Sequence, residues 1–265
     1  MYNSFQLTKN YILYYLTALN SKGHGIHSPF VFDFILNVLN NKCNYLPPVE
    51  IEELRNELLH DKRVIEIEDM GAGSRISSSK KKSVAQLAKT ALKPKKYALV
   101  LFRLVKHYQP KNIIELGTSL GITTAYLSKA NLHAAISTIE GSAAIAAIAN
   151  ENFQTLNCNN IQLMEGNFDS LLPSVINHLS SIDLAYIDGN HRCEPTIHYF
   201  NEFLNKSHND TILVFDDIHW SAEMERAWEF IKGHPSVQYT IDIFFLGFVF
   251  FKNEFKVKQN FIIRF

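Results

Sequence analysis

The pattern of hydrophobic and polar residues changes near residue 110. Before that point, apolar residues recur at the three- and four-residue spacing of amphipathic helices. Five helices are predicted there, over residues 5–19, 30–39, 50–59, 83–92 and 95–107. After it, short apolar runs alternate with helical stretches, which is typical of a parallel sheet built from strand–helix units. The predicted strands are residues 112–116, 135–139, 161–164, 182–187 and 211–215.

The end of the chain has a different pattern. After a predicted helix at 222–231, apolar runs at 237–245 and 248–251 are joined only by Leu246 and Gly247. This link is too short for a parallel crossover and predicts an antiparallel hairpin. Residues 260–265 fit either an edge strand or a packed tail.

Together these patterns predict an α/β fold in two regions. Residues 111–265 form a mostly parallel sheet with a C-terminal antiparallel hairpin, and residues 1–110 form an N-terminal helical cap that defines the substrate region.

Composition narrows the class of protein. The chain has 265 residues, 46% of them hydrophobic and 20% charged, which is ordinary for a globular protein. It has no uninterrupted apolar run of the roughly 18 residues that a membrane span needs, and no signal-peptide cleavage site follows its apolar N-terminus. We therefore expect a cytoplasmic protein without a membrane partner. Cys43, Cys158 and Cys193 lie too far apart to indicate a zinc site or a disulfide framework.

Charge is balanced overall but unevenly distributed. The chain has 26 basic and 26 acidic residues, yet residues 71–114 contain eleven lysines and arginines and no acid. The preceding residues 50–69 are acidic. The basic run can pair with that acidic stretch, form a solvated face, or contact an anionic substrate, and these alternatives stay open.

The strongest candidate for chemistry is the loop after the first predicted strand, from Glu115 to Gly121. Glycines without Cβ atoms let a ligand approach the backbone at the start of a helix. Gly117 and Gly121 are separated by three residues, unlike the G-x-G-x-x-G of dinucleotide sites. The leading carboxylate of Glu115 suits a cation such as a sulfonium or ammonium group and would repel phosphates.

The next predicted strand ends at Glu140 and Gly141, 25 residues beyond Glu115. An acidic side chain at this position can accept hydrogen bonds from both hydroxyls of a ribose. The loop and the acid together predict S-adenosylmethionine as the cofactor, because this molecule carries a sulfonium, an ammonium and a ribose but no phosphate.

On these residues the chain resembles the class I S-adenosylmethionine-dependent methyltransferases, specifically the O-methyltransferase-like group with the loop E-[IL]-G-T-x-x-G. The resemblance covers about residues 112–252. It implies a Rossmann-like fold and a set of cofactor contacts, which are Glu115, Gly117, Thr118, Ser119, Gly121, Glu140, Gly141, Gly166, Asn167 and Phe168. Asn167 stands where many relatives have Asp, so a bond to the adenine amine would use its amide oxygen.

Acidic residues end the fourth and fifth predicted strands. Asp188, Asp216 and Asp217 lie at the carboxyl ends of these strands, where open α/β sheets bind ligands, and can hold Mg²⁺ or a similar ion. In the metal-dependent O-methyltransferases that the chain resembles, such an ion lowers the pKa of the substrate hydroxyl. The alternative is that Asp188 orders the methionine part of the cofactor, while Asp216 and Asp217 cap the next helix and bond a nearby loop.

Two histidines are candidates for catalysis. His191 lies where the metal-dependent relatives carry a basic residue, expected to be Lys, and its neutral imidazole can accept the hydroxyl proton. His219 is the second candidate. Surface or helix-capping roles stay open for both.

Two other polar segments carry weaker signals. The string from Asp69 to Ser74 resembles a second cofactor loop after residues 64–67, but no helix opens directly on its glycines, so we expect it at most to line the substrate side. His24 and His27 are expected to be loop and capping residues, because a third metal ligand is missing nearby.

We therefore expect an enzyme that methylates an oxygen, or alternatively a nitrogen, of a small molecule. The expected partners are this methyl acceptor and a second copy of the chain in a homodimer. Methylation of RNA or another polyanion through residues 71–114 is an alternative, which the zero net charge disfavours. A nicotinamide-dependent oxidoreductase is disfavoured because no Tyr is followed four residues later by Lys. A cofactor-binding protein without catalysis is the remaining alternative.

Overall fold

A computed structural model of the protein describes residues 1–23, 26–41, 48–67 and 81–265. The helices are α1 (Ser4–Thr17), α2 (Pro29–Phe34, continued by a π-helical stretch over Ile35–Leu39), α3 (Val49–Leu58), α4 (Val84–Ala91), α5 (Lys95–Tyr108), α6 (Ile122–Ala130), α7 (Ala143–Thr155), α8 (Phe168–His178), α9 (Cys193–Leu204) and α10 (Ala222–Gly233). The strands are β1 (Val64–Glu66), β2 (Lys81–Ser83), β3 (Asn112–Leu116), β4 (Ala135–Glu140), β5 (Ile161–Glu165), β6 (Ile182–Ile187), β7 (Ser207–Asp216), β8 (Tyr239–Asp242), β9 (Leu246–Phe250) and β10 (Gln259–Ile262).

Contacts between residues divide the chain into two compact units. One consists of residues 41–175, and the other of residues 1–40 together with 176–265. The predicted division at residue 110 stays a prediction about how the chain is organised. Among the described helices, none is both long and apolar enough to span a membrane.

The unit of residues 41–175 contains the first three predicted strand–helix units. Strand β4 lies between β3 and β5, and both pairings are parallel, as predicted. The apolar run of β3 is fully buried at Ile113, Ile114 and Leu116. Continuous apolar runs of this kind are typical of parallel strands covered on both faces.

A small antiparallel pair precedes these strands. β1 and β2 pair in a register that places Glu66 opposite Lys81. The sequence predicts only helices in this region. Each strand has three residues and none of them is buried, so they lack the apolar alternation that marks a strand.

The other unit contains the remaining sheet strands. β7 pairs in parallel with β6 and antiparallel with β9, and β9 pairs antiparallel with β8. The predicted hairpin is thus confirmed, but the predicted link is wrong. Leu246 and Gly247 belong to β9, and the turn lies at residues 243–245, where Phe244 has a positive φ of 73°.

The two ends of the chain meet in this unit. β10 pairs in parallel with β8, so the final residues form an edge strand and not only a tail. Leu19 forms a β-bridge with Ile263, and the hydroxyl of Tyr14 donates a hydrogen bond to the Ile263 carbonyl. Helix α1 is therefore fixed to the C-terminal strand by backbone and side-chain bonds.

Candidate active site

The loop between β3 and α6 is a tight turn with three positive φ angles. They are 100° at Gly117, 50° at Ser119 and 78° at Gly121. The backbone N–H groups of Gly117 and Thr118 donate to the carbonyl of Ile139, at 3.0 and 3.2 Å. These donors hold the loop to the end of β4, so they do not form a cradle for a phosphate.

Glu140 at the end of β4 is joined to this loop. Its Oε2 accepts a hydrogen bond from the N–H of Ser119 at 2.9 Å, and its Oε1 accepts one from the N–H of Ser142 at 3.0 Å. The structure therefore brings the two predicted halves of the cofactor site together. Each carboxylate oxygen has a second lone pair, which is the capacity that ribose hydroxyls require.

Burial raises the pKa of Glu140 above its ordinary value, because desolvation disfavours the charged carboxylate. The backbone N–H groups of Ser142, Ser119 and Gly141 act in the opposite direction but do not cancel the effect of burial.

Glu115 has a different environment. Its side chain is fully buried, and Oε2 accepts hydrogen bonds from the hydroxyls of Thr124 at 2.5 Å and Thr138 at 2.7 Å. The Thr138 hydroxyl also lies 2.6 Å from that of Thr118. The predicted contact between Glu115 and the cofactor stays a prediction, while its hydrogen bonds with Thr124 and Thr138 are observed.

Two buried residues of α7 complete the packing of the loop. The amide nitrogen of Asn152 donates to the Leu120 carbonyl at 2.8 Å. A Cβ atom on Gly121 would lie 2.6 Å from a ring carbon of Phe153. The sequence alone does not identify Asn152, Phe153, Thr124 or Thr138, because hydroxyls, amides and rings in helices and strands carry no motif of their own.

The turn after β5 lies beside Glu140. Gly166 has a φ of 147°, and its N–H donates to the Glu140 carbonyl at 2.9 Å. The side-chain oxygen of Asn167 accepts a bond from the Asp169 N–H at 2.7 Å, just where Phe168 begins α8. The predicted adenine contacts of these residues stay predictions, and the amide oxygen of Asn167 keeps one lone pair for such a contact.

Asp188, His191 and Asp216 form a cluster at the ends of β6 and β7. One ligand atom from each residue lies within 4.8 Å of the other two. Asp216 is buried, with 1% of its surface exposed. Asp188 Oδ1 lies 3.6 Å from His191 Nε2, and Asp188 Oδ2 accepts a bond from the Tyr186 hydroxyl at 2.8 Å.

Asp217 does not belong to this cluster of described residues. Its backbone has a positive φ of 52°, and its N–H donates to the Phe245 carbonyl at 2.7 Å. The alternative that Asp216 or Asp217 caps α10 is wrong, because the N-cap is Ser221, whose hydroxyl accepts from the Met224 N–H at 3.2 Å.

His219, the second histidine candidate, lies between two carboxylates. Its Nε2 is 2.8 Å from Asp242 Oδ2, and its Nδ1 is 3.3 Å from Glu225 Oε1. Burial lowers the pKa of this imidazole, but the hydrogen bonds and charges of both acids outweigh that effect and raise it. The ring also stacks on Phe244, with centroids 5.1 Å apart.

The other sequence candidates are placed as follows. His27 is exposed, and Ser28 rather than His27 caps α2 through a 3.4 Å bond from the Val31 N–H. Cys158 and Cys193 are free thiols. The second glycine string from Asp69 to Ser74, His24 and Cys43 lie outside the described residues.

Part of the chain matches a known protein family. Residues 114–218 match the family model described as methyltransferase domain. No curated protein matches the chain.

Several solved structures have the same fold. One is an O-methyltransferase from Bacillus cereus in complex with SAH, with 19% identity and a TM-score of 0.58 over 81% of this chain and 96% of that one. Another is the SAH-bound methyltransferase PaMTH1 from Podospora anserina, with 13% identity and a TM-score of 0.60 over 96% and 98%. A third is a putative caffeoyl-CoA O-methyltransferase from Staphylococcus aureus, with 15% identity and a TM-score of 0.54 over 63% and 88%.

The mostly parallel sheet with antiparallel C-terminal strands is the arrangement shared with these structures. The chain therefore has the Rossmann-like fold of these S-adenosylmethionine-dependent methyltransferase structures, and its residues 114–218 match the methyltransferase domain family.

Proposed function

We propose that this protein is a methyltransferase, which transfers the methyl group of S-adenosylmethionine to an oxygen atom of a small molecule. The observation that carries the proposal is the bond between Glu140 and the Ser119 N–H, which joins the acidic strand end to the glycine loop. The O-methyltransferases from Bacillus cereus and Staphylococcus aureus with the same fold support an oxygen acceptor. A homodimer and a cytoplasmic location stay predictions.

In this proposal the cofactor lies on the glycine loop, with its ribose on Glu140 and its adenine beside Gly166, Asn167 and Phe168. Ordering of its methionine part by Asp188 is the alternative to a metal-binding role of that residue. The protein mainly orients the two reactants, because in-line transfer needs the acceptor oxygen held against the methyl carbon.

The cluster of Asp188, His191 and Asp216 is proposed to hold a divalent cation. Two carboxylates and one imidazole within 4.8 Å are a chemically suitable donor set for such an ion. When bound, the ion would lower the pKa of the acceptor hydroxyl. This set replaces Asp217 of the sequence prediction by His191.

The imidazole changes the expected metal. Mg²⁺ prefers an all-oxygen shell, whereas Mn²⁺, Co²⁺ and Zn²⁺ accept a nitrogen ligand readily. We therefore expect Mn²⁺ to bind more tightly than Mg²⁺. If His191 accepts the acceptor's proton instead of binding metal, its replacement should lower the methylation rate and leave metal affinity unchanged.

Calorimetric titration of Mn²⁺ and Mg²⁺ separates these two roles. We expect His191→Ala to weaken Mn²⁺ binding at least tenfold, and Asp217→Asn, the matched control, to leave it unchanged. Equal Mn²⁺ affinity in the wild-type protein and in His191→Ala would remove His191 from the metal site. Stronger loss in Asp217→Asn would restore the set predicted from sequence.

The reaction itself is tested with methyl-labelled S-adenosylmethionine and a panel of phenols, catechols and primary amines, with and without Mn²⁺. We expect label to appear on hydroxyl compounds and to depend on the metal. Label found only on amines, without metal, would contradict the oxygen acceptor. Binding of NADH without binding of S-adenosylmethionine in parallel titrations would contradict the cofactor.

A further inference from the structure

Glu115 and Glu140 end neighbouring strands of the cofactor site, but their carboxylates have different surroundings. Glu140 is partly exposed and bonded to backbone N–H groups on both oxygens. Glu115 has no exposed surface at all. A side chain enclosed in this way has no surface on which a bound ligand can lie.

The groups around Glu115 link three parts of the site. Thr138 belongs to β4, directly opposite Glu115 in the parallel register. Thr124 belongs to the first turn of α6, and Thr118 belongs to the glycine loop and bonds to Thr138. All three threonine side chains are buried, with at most 2% of their surface exposed. The Glu115 carboxylate thus bonds directly to β4 and to the first turn of α6, and it is linked to the glycine loop through Thr138.

Hydrogen bonds to a buried carboxylate are strong, because they replace the solvation that the charge loses on burial. We propose that Glu115 is a positioning residue, which fixes the glycine loop and the start of α6 through Thr118, Thr124 and Thr138 without touching the cofactor. This inference rests on the proposed S-adenosylmethionine site and changes the role that the sequence predicts for Glu115.

The two roles give different results in a double-mutant cycle measured by calorimetry with S-adenosylmethionine. If Glu115 acts through the threonines, Glu115→Gln and Thr138→Val each weaken binding about tenfold, and the double variant is no weaker than the single ones. If Glu115 contacts the cofactor, Thr138→Val has little effect and the losses multiply. Thr138 is fully buried and cannot contact the ligand itself.

A second measurement uses S-adenosylhomocysteine, which lacks the positive sulfonium. A positioning role predicts that Glu115→Gln weakens binding of both molecules by the same factor. A contact with the sulfonium predicts a larger loss for S-adenosylmethionine, since only that charge attracts the carboxylate. A tenfold change in the ratio of the two affinities would overturn the inference.

Three controls keep the outcomes distinct. Thr138→Ser retains the hydroxyl and should restore wild-type affinity, which general destabilisation would not allow. Thr155→Val removes an exposed helix hydroxyl bonded to the Glu151 carbonyl and should have no effect. If Glu115→Gln does not fold, the comparison of Thr138→Val with Thr138→Ser still decides. Failure of the wild-type protein to bind S-adenosylmethionine would instead contradict the proposed function.

Discussion

Gly121 illustrates how two physical reasons can require the same residue. Its φ of 78° is a left-handed conformation that residues with a Cβ atom rarely adopt. In addition, a Cβ atom there would lie 2.6 Å from the ring of Phe153. The sequence pattern indicates that a ligand approaches this glycine closely, and the structure adds the packing of α7 against the loop.

We expect Gly121→Ala to destabilise the fold by about 2 kcal/mol or more, because backbone strain and displacement of Phe153 act together. Cofactor affinity should fall as well, since the loop must move. Urea unfolding and calorimetry measure the two effects. Gly233→Ala is the matched control, because nothing lies within 4 Å of its added Cβ. Equal unfolding midpoints for the two variants would contradict the packing argument.

Glu140 makes cofactor binding dependent on pH. Burial raises the pKa of its carboxyl. The ionised form is the better acceptor for ribose hydroxyls, so affinity for S-adenosylmethionine should be highest above this raised pKa and fall as pH decreases through it. Calorimetry between pH 5 and pH 8 measures the profile.

In Glu140→Gln we expect weaker binding and no such fall with decreasing pH, because the amide does not titrate. Glu165→Gln changes an exposed acid at the end of β5 and should keep the wild-type profile. A fall in affinity that persists in Glu140→Gln would assign the titration to another group.

Among elements, the buried strands were predictable and the exposed ones were not. β3 is a run of buried apolar residues, whereas β10 buries only Phe261 and has no pattern to identify it. The hairpin turn was misplaced because its residues are bulky and Gly247 imitates a turn signal. Gly247 instead makes room for the Trp228 ring, which would lie 2.7 Å from its Cβ.

The same distinction applies to the candidate site. The glycine loop and Glu140 were predictable because their spacing in sequence reflects a strand–helix–strand unit. The sequence did not predict that the acidic cluster contains His191 and not Asp217. The backbone at Asp217 is left-handed, and no sequence pattern marks this conformation. The burial of Glu115 depends on threonines of a neighbouring strand and helix. A single sequence does not show that these residues are in contact.

The N-terminus of the chain, just before helix α1, is attached to the C-terminal part of the same unit by a group of polar side chains. The hydroxyl of Tyr2 donates to Glu225 Oε2 at 2.6 Å, and Glu225 Oε1 lies 3.3 Å from His219 Nδ1. His219 continues the chain of contacts to Asp242, which also accepts from the Trp228 N–H at 3.3 Å. The catalytic role of His219 stays a prediction, and its observed contacts are those of a structural link.

We expect this link to weaken as pH rises. The folded-state pKa of His219 is raised above its unfolded value of roughly 6.5, so its stabilisation is complete below that value and is lost as pH rises through the folded-state pKa. The difference in unfolding free energy between wild-type and His219→Gln should therefore be larger at pH 6 than at pH 9.

Urea unfolding at the two pH values measures this difference. His133→Gln, which removes the imidazole of an exposed loop histidine, serves as the control and should show no comparable pH dependence. A difference that is constant with pH, or that grows above pH 7, would contradict the charged state of His219.

At the scale of the whole molecule, the uneven charge of the sequence is partly balanced by pairing. Glu52 on α3 lies 3.0 Å from the Arg55 guanidinium and 3.4 Å from Lys95 Nζ, and it accepts a bond from the Tyr126 hydroxyl. These contacts lower the pKa of Glu52 despite its partial burial, which raises it. Lys95 belongs to the acid-free segment, so at this position the acidic and basic stretches pair with each other.

We therefore expect no strong binding of a polyanion. A protein that contacts six to ten phosphates loses about 10³–10⁵ in affinity between 50 and 200 mM salt. Fluorescence anisotropy with a labelled single-stranded RNA should show no saturable binding at micromolar protein in either salt. Lys89→Gln/Lys96→Gln removes two charges of the segment and should leave S-adenosylmethionine affinity unchanged. Tight RNA binding at 50 mM salt that collapses at 200 mM and weakens in this double variant would instead favour methylation of RNA over a small acceptor.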